Sequence, residues 1–415
     1  MSTAGNSVIV IGAGIVGLCV AHALRQAGHT VTVLDPEAPG SQCSSGNAGA
    51  LSAGSVAPLA MPGVLKQSFS MMIDSTSPLH VPFHYWLSVL PWFMRFVASA
   101  RPERVREIAG SLEFLIGDAV RRHRELAATV GCADLIQETG QLHVYPDERA
   151  RMGDAATWEL KAAHGLRVEN VDAETLRELE PAVSRRYGAG VFLPEDTWVS
   201  QPLRYSTAIA TSLRQQGVEF IQTKVRDMTR DGEGWRVTGE SWNGASRNVV
   251  VSAGIGSRRL LETLGWKVPL EAQRGYHVQM PRPGVHLSRV VVLADRKVFI
   301  NPMDGPLRVA GTVEFGKPGQ PMNERRARLL TEHALQGIDG LDARDATLWM
   351  GERPCLPDSM PVLGSVPDAP GLWCAFGHGH LGLTGAAHTG SLLADAISGH
   401  SDSAELKPFS IARFR

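Results

Sequence analysis

VIVIGAGIVGLCVAHALRQAGHTVTVLD, residues 8 to 35, sets the architecture around the N-terminus of this chain. Its first four residues are wholly apolar, as in a strand buried on both faces, and VTVL near its end has the same character. Between them, Val16, Val20 and Leu24 recur at helical spacing along one face. The stretch therefore predicts a strand, a turn, a helix and a second, parallel strand.

Three glycines follow the first strand in the spacing GxGxxG. In this context Gly12 permits a tight turn, Gly14 lets the backbone approach a pyrophosphate, and Gly17 allows close helix packing. Asp35 ends the second strand, where an acid can accept hydrogen bonds from ribose hydroxyls. The unit predicts a dinucleotide-binding domain, but it does not by itself choose between NAD and FAD. The alternative is a structural turn followed by a solvated carboxylate.

The composition is that of a soluble globular protein, with 415 residues, 43% hydrophobic and 20% charged. A chain of this length predicts two domains. Its 41 basic and 42 acidic residues give a net charge of −1, so nucleic acid is not expected as a partner. The five cysteines form no CxxC pair, and the N-terminus has no basic and apolar leader. We therefore expect no disulfide framework, no signal peptide and a cytoplasmic location.

Later segments alternate between two kinds of structure. Those with the pattern of antiparallel strands are 135–147, 188–200, 276–280, 290–302 and 307–315. A helix and strand at 206–220 and the apolar run NVVVSAG return to the nucleotide-binding type. We predict a doubly wound, Rossmann-like α/β domain interleaved with a mostly antiparallel β-sheet substrate domain. The predicted limits are 1–80, 200–262 and 350–415 for the first domain, and 81–199 and 263–349 for the second.

Two further segments are rich in small residues. SQCSSGNAGALSAGS, residues 41 to 55, has no hydrophobic periodicity and is predicted to be a loop near a long ligand, or else a flexible surface loop. CAFGHGHLGLTGAAHTG, residues 374 to 390, predicts a second glycine-rich turn into a helix. One β-α-β unit holds only the ADP half of FAD. A second helix N-terminus is therefore expected at the flavin end, where its dipole stabilises negative charge.

Residues 81 to 108, VPFHYWLSVLPWFMRFVASARPERVREI, concentrate aromatic side chains and then four arginines. Pro82, His84, Pro91 and Arg95 interrupt the segment, so it is too short an apolar run to cross a bilayer. Aromatic residues beside arginines are typical of a helix that lies on a membrane surface, here at its inner face. The alternative is a helix packed on the rest of the protein, and the sequence leaves both open.

The GxGxxG unit, SSGNAG, NVVVSAGIGS, QRGY, VAGTVEF, GERPCLPDSMPVLG and GHGHLGLT occur in this order over nearly the whole chain. The set resembles the D-amino-acid-oxidase superfamily, above all the bacterial D-amino-acid dehydrogenase small-subunit branch. The resemblance implies non-covalent FAD and electron transfer to a quinone or another respiratory acceptor. It also implies a D-amino acid substrate, with D-proline and hydroxy-D-proline among the candidates. The substrate would be oxidised to its imino acid by hydride transfer to flavin N5.

The resemblance assigns cofactor contacts to strand ends and small-residue loops: Gly12, Gly14, Ile15, Val16, Asp35, Ser44, Ser45, Asn47, Gly49, Ala50, Leu51, Val225, Ala253, Gly254, Gly379, His380, Leu381, Gly382, Leu383 and Thr384. Arg353 matches the arginine that pairs with the substrate carboxylate; the alternative is a surface ion pair with Glu352 or Asp358. Tyr276 and His380 are candidates for orienting the substrate, or for packing and flavin contact.

Some positions depart from the family pattern. Asp35 stands where Glu is usual, Arg274 replaces a lysine before GY, and His380 replaces a threonine. The last two put the identity of the substrate in doubt. We expect no metal site, because the histidines of the second turn have no carboxylate or cysteine at ligand spacing. Three functional alternatives remain: an oxygen-using glycine or sarcosine oxidase, a non-catalytic FAD-binding subunit of an amine dehydrogenase, and a nucleic-acid-binding flavoprotein.

Overall fold

Eleven α-helices are present within residues 7–61, 79–400 and 404–415, the part of the chain that this computed structural model describes. In chain order they are α1 (Ile15–Gln26), α2 (Trp86–Ser99), α3 (Pro102–Ile116), α4 (Ala119–Thr129), α5 (Glu148–Gly153), α6 (Ala155–Ala163), α7 (Ala173–Leu179), α8 (Pro202–Gln215), α9 (Ser257–Glu262), α10 (Glu324–Gly337) and α11 (Gly382–Ser398).

A six-stranded sheet contains the N-terminal strand-helix-strand unit. Its strands are β1 (Ser7–Ile11), β2 (Thr30–Asp35), β10 (Glu219–Gln222), β14 (Asn248–Val251), β20 (Val362–Ser365) and β21 (Leu372–Phe376). The spatial order is β10-β2-β1-β14-β21-β20, and all neighbours are parallel except β20 beside β21. Val8 and Val10 pack into the core on one face, Ile9 and Ile11 into the core on the other. Burial of both faces explains why this strand is wholly apolar.

One face of this sheet is covered by α1, α8 and α11, and the other by α9 and a small antiparallel sheet. The small sheet has three strands, β11 (Val225–Asp231), β12 (Gly234–Gly239) and β13 (Asn243–Ser246). Trp235 and Val237 of β12 are buried against the six-stranded sheet.

A nine-stranded sheet forms the second domain. Its strands are β4 (Leu79–His80), β6 (Gln141–Tyr145), β7 (Glu169–Asp172), β8 (Ala189–Leu193), β15 (Glu271–Met280), β16 (Val290–Leu293), β17 (Val298–Pro302), β18 (Leu307–Phe315) and β19 (Thr347–Cys355). All neighbours are antiparallel except β16 with β6 and β18 with β4. A further small sheet joins β3 (Ala50–Leu51), β5 (Ile136–Gln137) and β9 (Thr197–Val199). The predicted fold class is confirmed.

The packing crosses the domain limits that the sequence suggested. Strand β19 belongs wholly to the nine-stranded sheet, although the predicted limit at residue 350 falls inside it. Helices α3 and α4 lie within the segment predicted for the substrate domain. Nevertheless Ile108, Leu112 and Leu126 are buried in the same core as α1 and α11. Amphipathic helices pack wherever an apolar face is available, and sequence order does not reveal which sheet supplies it.

Helices α1 and α11 approach each other closely at Gly390. A Cβ atom on Gly390 would lie 2.4 Å from the carbonyl oxygen of Cys19. At Gly385, five residues earlier in the same helix, the nearest atoms would be at 3.6 Å, an ordinary contact. The two positions therefore differ in packing while sharing a helix.

We predict that Gly390→Ala destabilises the protein by about 1 to 3 kcal/mol, because α1 must shift away from α11. Gly385→Ala is the matched control, and it should leave stability unchanged or raise it slightly, since alanine favours a helix. Thermal unfolding followed by circular dichroism tests both variants. Equal melting temperatures for the two variants would contradict the close contact at Gly390.

Candidate active site

The turn after β1 lies at the carboxyl edge of the parallel sheet. Gly12 has φ 113°, and a Cβ atom there would lie 2.3 Å from the carbonyl oxygen of Ser252, so only glycine fits. The Ser252 hydroxyl donates to the carbonyl of Ile11 at 3.0 Å, which fastens the end of β14 to the turn. Ala253 and Gly254, the next predicted cofactor contacts, follow at this same edge. Open α/β sheets bind their ligands at this edge.

Helix α1 begins at this turn without a capping side chain from its own N-cap residue, Gly14. The Ser44 hydroxyl instead accepts a hydrogen bond from the Ile15 N–H at 2.9 Å. Asp35 accepts a hydrogen bond from the Ala13 N–H at 2.6 Å. Burial raises the pKa of the Asp35 carboxyl, and this backbone hydrogen bond partly offsets the rise. The predicted residues Gly14, Ile15, Asp35 and Ser44 therefore meet at one helix N-terminus.

The second glycine-rich turn follows β21. Residues Gly379–Leu381 form a 3-10 turn, and Gly382, Leu383 and Thr384 begin α11. The Thr384 hydroxyl donates to the carbonyl of Ala50 at 3.4 Å. The loop at 41–51 thus contacts the N-terminus of α1 through Ser44 and that of α11 through Ala50.

This arrangement fits an elongated dinucleotide such as FAD. Two helix N-termini, each preceded by a glycine-rich turn, are linked by one loop of small residues. The turn at Gly12 would hold the ADP half and the turn at 379–384 the flavin. Two other residues predicted to contact the cofactor form hydrogen bonds within the loop itself. The Ser45 hydroxyl donates to the carbonyl of Ser41, and the Asn47 side chain accepts from the Gly49 N–H. Val225 is buried at the start of β11.

Arg353 lies on the face of β15 and β19 that also carries Gln273 and Gly275. Its guanidinium carbon would be 2.3 Å from a Cβ atom on Gly275, so the glycine of QRGY makes room for the arginine. The side chain is half-buried, and burial lowers the pKa of the guanidinium, which stays charged at neutral pH. Within residues 7–61, 79–400 and 404–415, the side chain of Arg353 has no hydrogen bond or ion pair, while its backbone pairs with Gln273 of β15.

The two acids weighed as surface partners of Arg353 are engaged elsewhere. Asp358 pairs with Arg413, with 2.8 Å between Oδ2 and Nε. Glu352 accepts from the Gly319 N–H at 2.6 Å. Neighbouring residues of a strand point to opposite faces, which separates Glu352 from Arg353. The cation of Arg353 is therefore available to an anionic ligand.

The end of β19 contacts the second glycine-rich turn. Cys355 forms an antiparallel bridge with His378, and a Cβ atom on Gly379 would lie 3.3 Å from the Cys355 sulfur. Arg353 precedes this bridge by two residues and acts electrostatically on His380, as Lys161 of α6 also does. Burial, followed by these two cations, lowers the pKa of His380 to about 4, so the ring is neutral at pH 7.

Tyr276 lies on the opposite face of β15 and is not brought together with Arg353. It is 1% exposed, and its hydroxyl donates to Glu314 of β18. Arg274, on the same face, forms a buried ion pair with Glu314 at 2.8 Å. Arg274, the departure from the family pattern before GY, is thus engaged on the face away from Arg353. The placement of Tyr276 favours packing over substrate contact, and we leave it out of the site.

Three side chains that the sequence did not single out hold the cofactor loop. Arg308 of β18 donates to the carbonyls of Ser45 and Asn47 at 2.8 and 2.6 Å. Asn301 of β17 donates to the Ala48 carbonyl at 2.5 Å, and His277 of β15 bonds the Gly46 carbonyl at 3.1 Å. The only signal in the sequence was a polar residue alternating with apolar ones in each strand. We call these three residues the loop clamp.

The other histidines of the second turn have separate partners. His378 bonds the Thr389 hydroxyl at 3.0 Å, and His388 bonds the Leu115 carbonyl at 3.2 Å. Among the described residues, no group of three His, Cys, Asp or Glu side chains is placed to hold a metal ion. No described helix is long and apolar enough to cross a membrane.

Comparison with known proteins adds to this geometry. A family model described as FAD dependent oxidoreductase matches residues 7–396. A D-amino-acid oxidase of Bradyrhizobium diazoefficiens is 34% identical over 418 residues, which cover 99% of each chain. A D-amino acid dehydrogenase of Paramagnetospirillum magneticum is 31% identical over 426 residues, 98% of each chain.

Solved structures share the fold. Glycine oxidase from Geobacillus kaustophilus has a TM-score of 0.76 at 22% identity and covers 98% of each chain. L-proline dehydrogenase from P. horikoshii has a TM-score of 0.75 at 16% identity, over 99% of this chain and 97% of that one. The resemblance seen in the sequence motifs is confirmed. The chain belongs to the FAD dependent oxidoreductase family, and FAD is its cofactor.

Proposed function

We propose that this chain is an FAD-dependent dehydrogenase of D-amino acids. The observation that carries the proposal is Arg353, a half-buried cation with no partner among the described residues, which lies beside the second glycine-rich turn. An arginine fork binds both oxygens of a carboxylate, the group common to all amino acids. The names of the two curated relatives support a D-amino acid as the substrate.

Arg353 would bind the carboxylate and thereby fix the position of the α-carbon and the amine. His380, neutral at pH 7, would border the amine without adding a second positive charge beside Arg353. We assign no general base among the described residues, and none is needed if the amine binds in its neutral form. When bound, FAD supplies the acceptor for the hydride that leaves the α-carbon. The imino acid then hydrolyses in water, or persists as a cyclic imine if the substrate is D-proline or hydroxy-D-proline.

The loop clamp would position the cofactor loop. Arg308 is 8% exposed, and burial lowers the pKa of its guanidinium to about 10, so it remains charged at neutral pH. By binding the carbonyls of the loop, the clamp fixes the backbone between Ser44 and Ala50, the two contacts to the helix N-termini. Cofactor binding would therefore depend on the substrate sheet as well as on the nucleotide domain.

We propose a membrane quinone as the electron acceptor, with peripheral contact at the inner face of the membrane through residues 81–108. The second candidate is an oxygen-using oxidase, because one of the two relatives named above is an oxidase and the other a dehydrogenase. The two candidates differ in acceptor and share the same substrate site.

Arg353→Ala should lower kcat/KM for amino acid substrates by roughly 30-fold to several thousandfold. Losing one partner of a buried charged pair costs about 2 to 5 kcal/mol. Arg353→Lys should fall between, because it keeps the charge and loses the bidentate geometry. Arg282→Ala is the control, an arginine of the substrate domain whose side chain is 80% exposed, and it should stay within about twofold. Steady-state kinetics on FAD-loaded protein that showed a loss below about threefold for Arg353→Ala would place the carboxylate elsewhere.

Arg308→Ala should weaken FAD binding about tenfold or more, because two loop carbonyls lose a charged donor worth about 1.5 to 3 kcal/mol. Arg177→Ala is the matched control, since Arg177 of α7 also donates to two carbonyls, those of Ser184 and Tyr187, away from the loop. Fluorescence titration of the apoprotein with FAD measures both dissociation constants. If the two variants bind FAD equally well, the clamp has only a general structural role.

Substrate and acceptor are tested by anaerobic bleaching of the bound flavin with a panel of D- and L-amino acids, followed by turnover assays. We expect reduction by D-amino acids, and much faster turnover with a quinone analogue or an artificial dye than with oxygen. Hydrogen peroxide formed in air at a comparable rate would favour the oxidase. Bleaching by L-amino acids alone would contradict the substrate class.

A further inference from the structure

One side of α2 and of the turn before it carries a row of exposed, large apolar side chains. They are Phe83, Leu87, Leu90, Met94 and Val97, with exposed fractions of 92%, 87%, 51%, 67% and 46%. Ten large apolar residues are exposed in the described chain, and half of them lie in this row. We call this row the α2 stripe.

The stripe follows the geometry of the helix. At about 100° per residue, the four members within α2 fall in an arc of roughly 80°, and Phe83 precedes Leu87 by one turn. The row is about 20 Å long at 1.5 Å per residue. Contiguous apolar surface of this kind on a soluble protein marks an interaction site.

The opposite side of α2 packs against the rest of the protein. Val89 and Trp92 are buried, and the Trp92 ring lies 5.1 Å from that of Phe315 in β18. The helix is therefore apolar on two sides, of which the protein covers only one. The interpretation of this segment as a packed helix therefore accounts for one side of α2 and leaves the other side without a contact.

The charged side chains within residues 81 to 102 are all positive. Residues 81 to 102 contain no Asp or Glu, and their two arginines, Arg95 and Arg101, are both exposed. Basic residues beside an apolar stripe are the composition of a helix that lies in the surface of an anionic bilayer. A protein partner fits less well, because a stable dimer buries about 800 Å² per chain against a complementary surface. A lipid surface needs no complementary shape.

We propose that the α2 stripe inserts into the surface of a bilayer that contains anionic lipids, with Arg95 and Arg101 at the level of the headgroups. This deepens the membrane contact of the proposed function by naming its surface and lipid class. It does not depend on the substrate. The stripe would hold the enzyme where a lipid-soluble acceptor is dissolved.

Sedimentation of the FAD-loaded protein with vesicles tests the proposal. Vesicles of phosphatidylcholine mixed with phosphatidylglycerol should bind wild type, and vesicles of phosphatidylcholine alone should bind it more weakly. Leu87→Gln with Met94→Gln should lower the partition coefficient at least about tenfold, since two apolar side chains leave the bilayer. The control is Met152→Gln with Leu335→Gln, two residues that are 56% and 46% exposed on α5 and α10. It should bind as wild type does.

Arg95→Gln with Arg101→Gln should weaken binding to the anionic vesicles and reduce its dependence on salt. All these variants should keep their FAD and their turnover with a soluble dye, which separates a failed membrane proposal from a failed catalytic one. Wild type that stays in the supernatant with both vesicle types would overturn the proposal. So would equal losses in the stripe and control variants. A stripe variant that changes the mass of the protein in solution, with vesicle binding unaltered, would assign the surface to a second copy instead.

Discussion

The structure depends on one constraint, the common edge at which the parallel strands β1, β2, β14 and β21 end. At this edge Gly12 lies in close contact with the Ser252 carbonyl, and Asp35 accepts a hydrogen bond from the Ala13 N–H. The second glycine-rich turn follows β21 at the same edge. Because parallel strands need crossover connections, the chain between them is free to build a second domain before it returns. The second domain is made of those connections, and it therefore faces the edge where the cofactor binds.

Strand alternation then decides which side chains of β15 and β19 face the glycine-rich turns. On β15 and β19, the face with Gly275 and Arg353 lies toward the turns, while Arg274 and Tyr276 lie beneath it. On the hidden face, cation and carboxylate satisfy each other in the Arg274–Glu314 pair, as burial requires. On the open face, Arg353 has no such acid among the residues that the structure describes. The same rule, that a buried charge needs a partner, supports the proposal that Arg353 binds an anionic ligand.

Polar groups also connect the domains. The loop at 41–51 has few apolar side chains to bury, so packing alone does not fix its conformation. Its carbonyls therefore need hydrogen-bond donors from other parts of the chain. Arg308, Asn301 and His277 supply them from three adjacent strands of the substrate sheet. Helix α2 shows the reverse case. Its aromatic side is anchored by Phe315, and this anchoring presents the aliphatic side outward.

The sequence by itself determined the nucleotide unit, the interleaved fold class and the two glycine-rich turns, and through the family resemblance it predicted Arg353 as the ligand of the carboxylate. Each of these rests on local spacing, on residue type or on an ordered set of motifs. Only the tertiary structure decided which face of β15 holds Tyr276, and that α3 and α4 pack on the nucleotide domain. It alone also showed that Arg308 binds a loop more than 250 residues away, at Ser45 and Asn47. Strand register and helix docking depend on burial between segments that are distant in the sequence. A residue pattern indicates that a face is apolar, but it does not indicate which segment will cover that face.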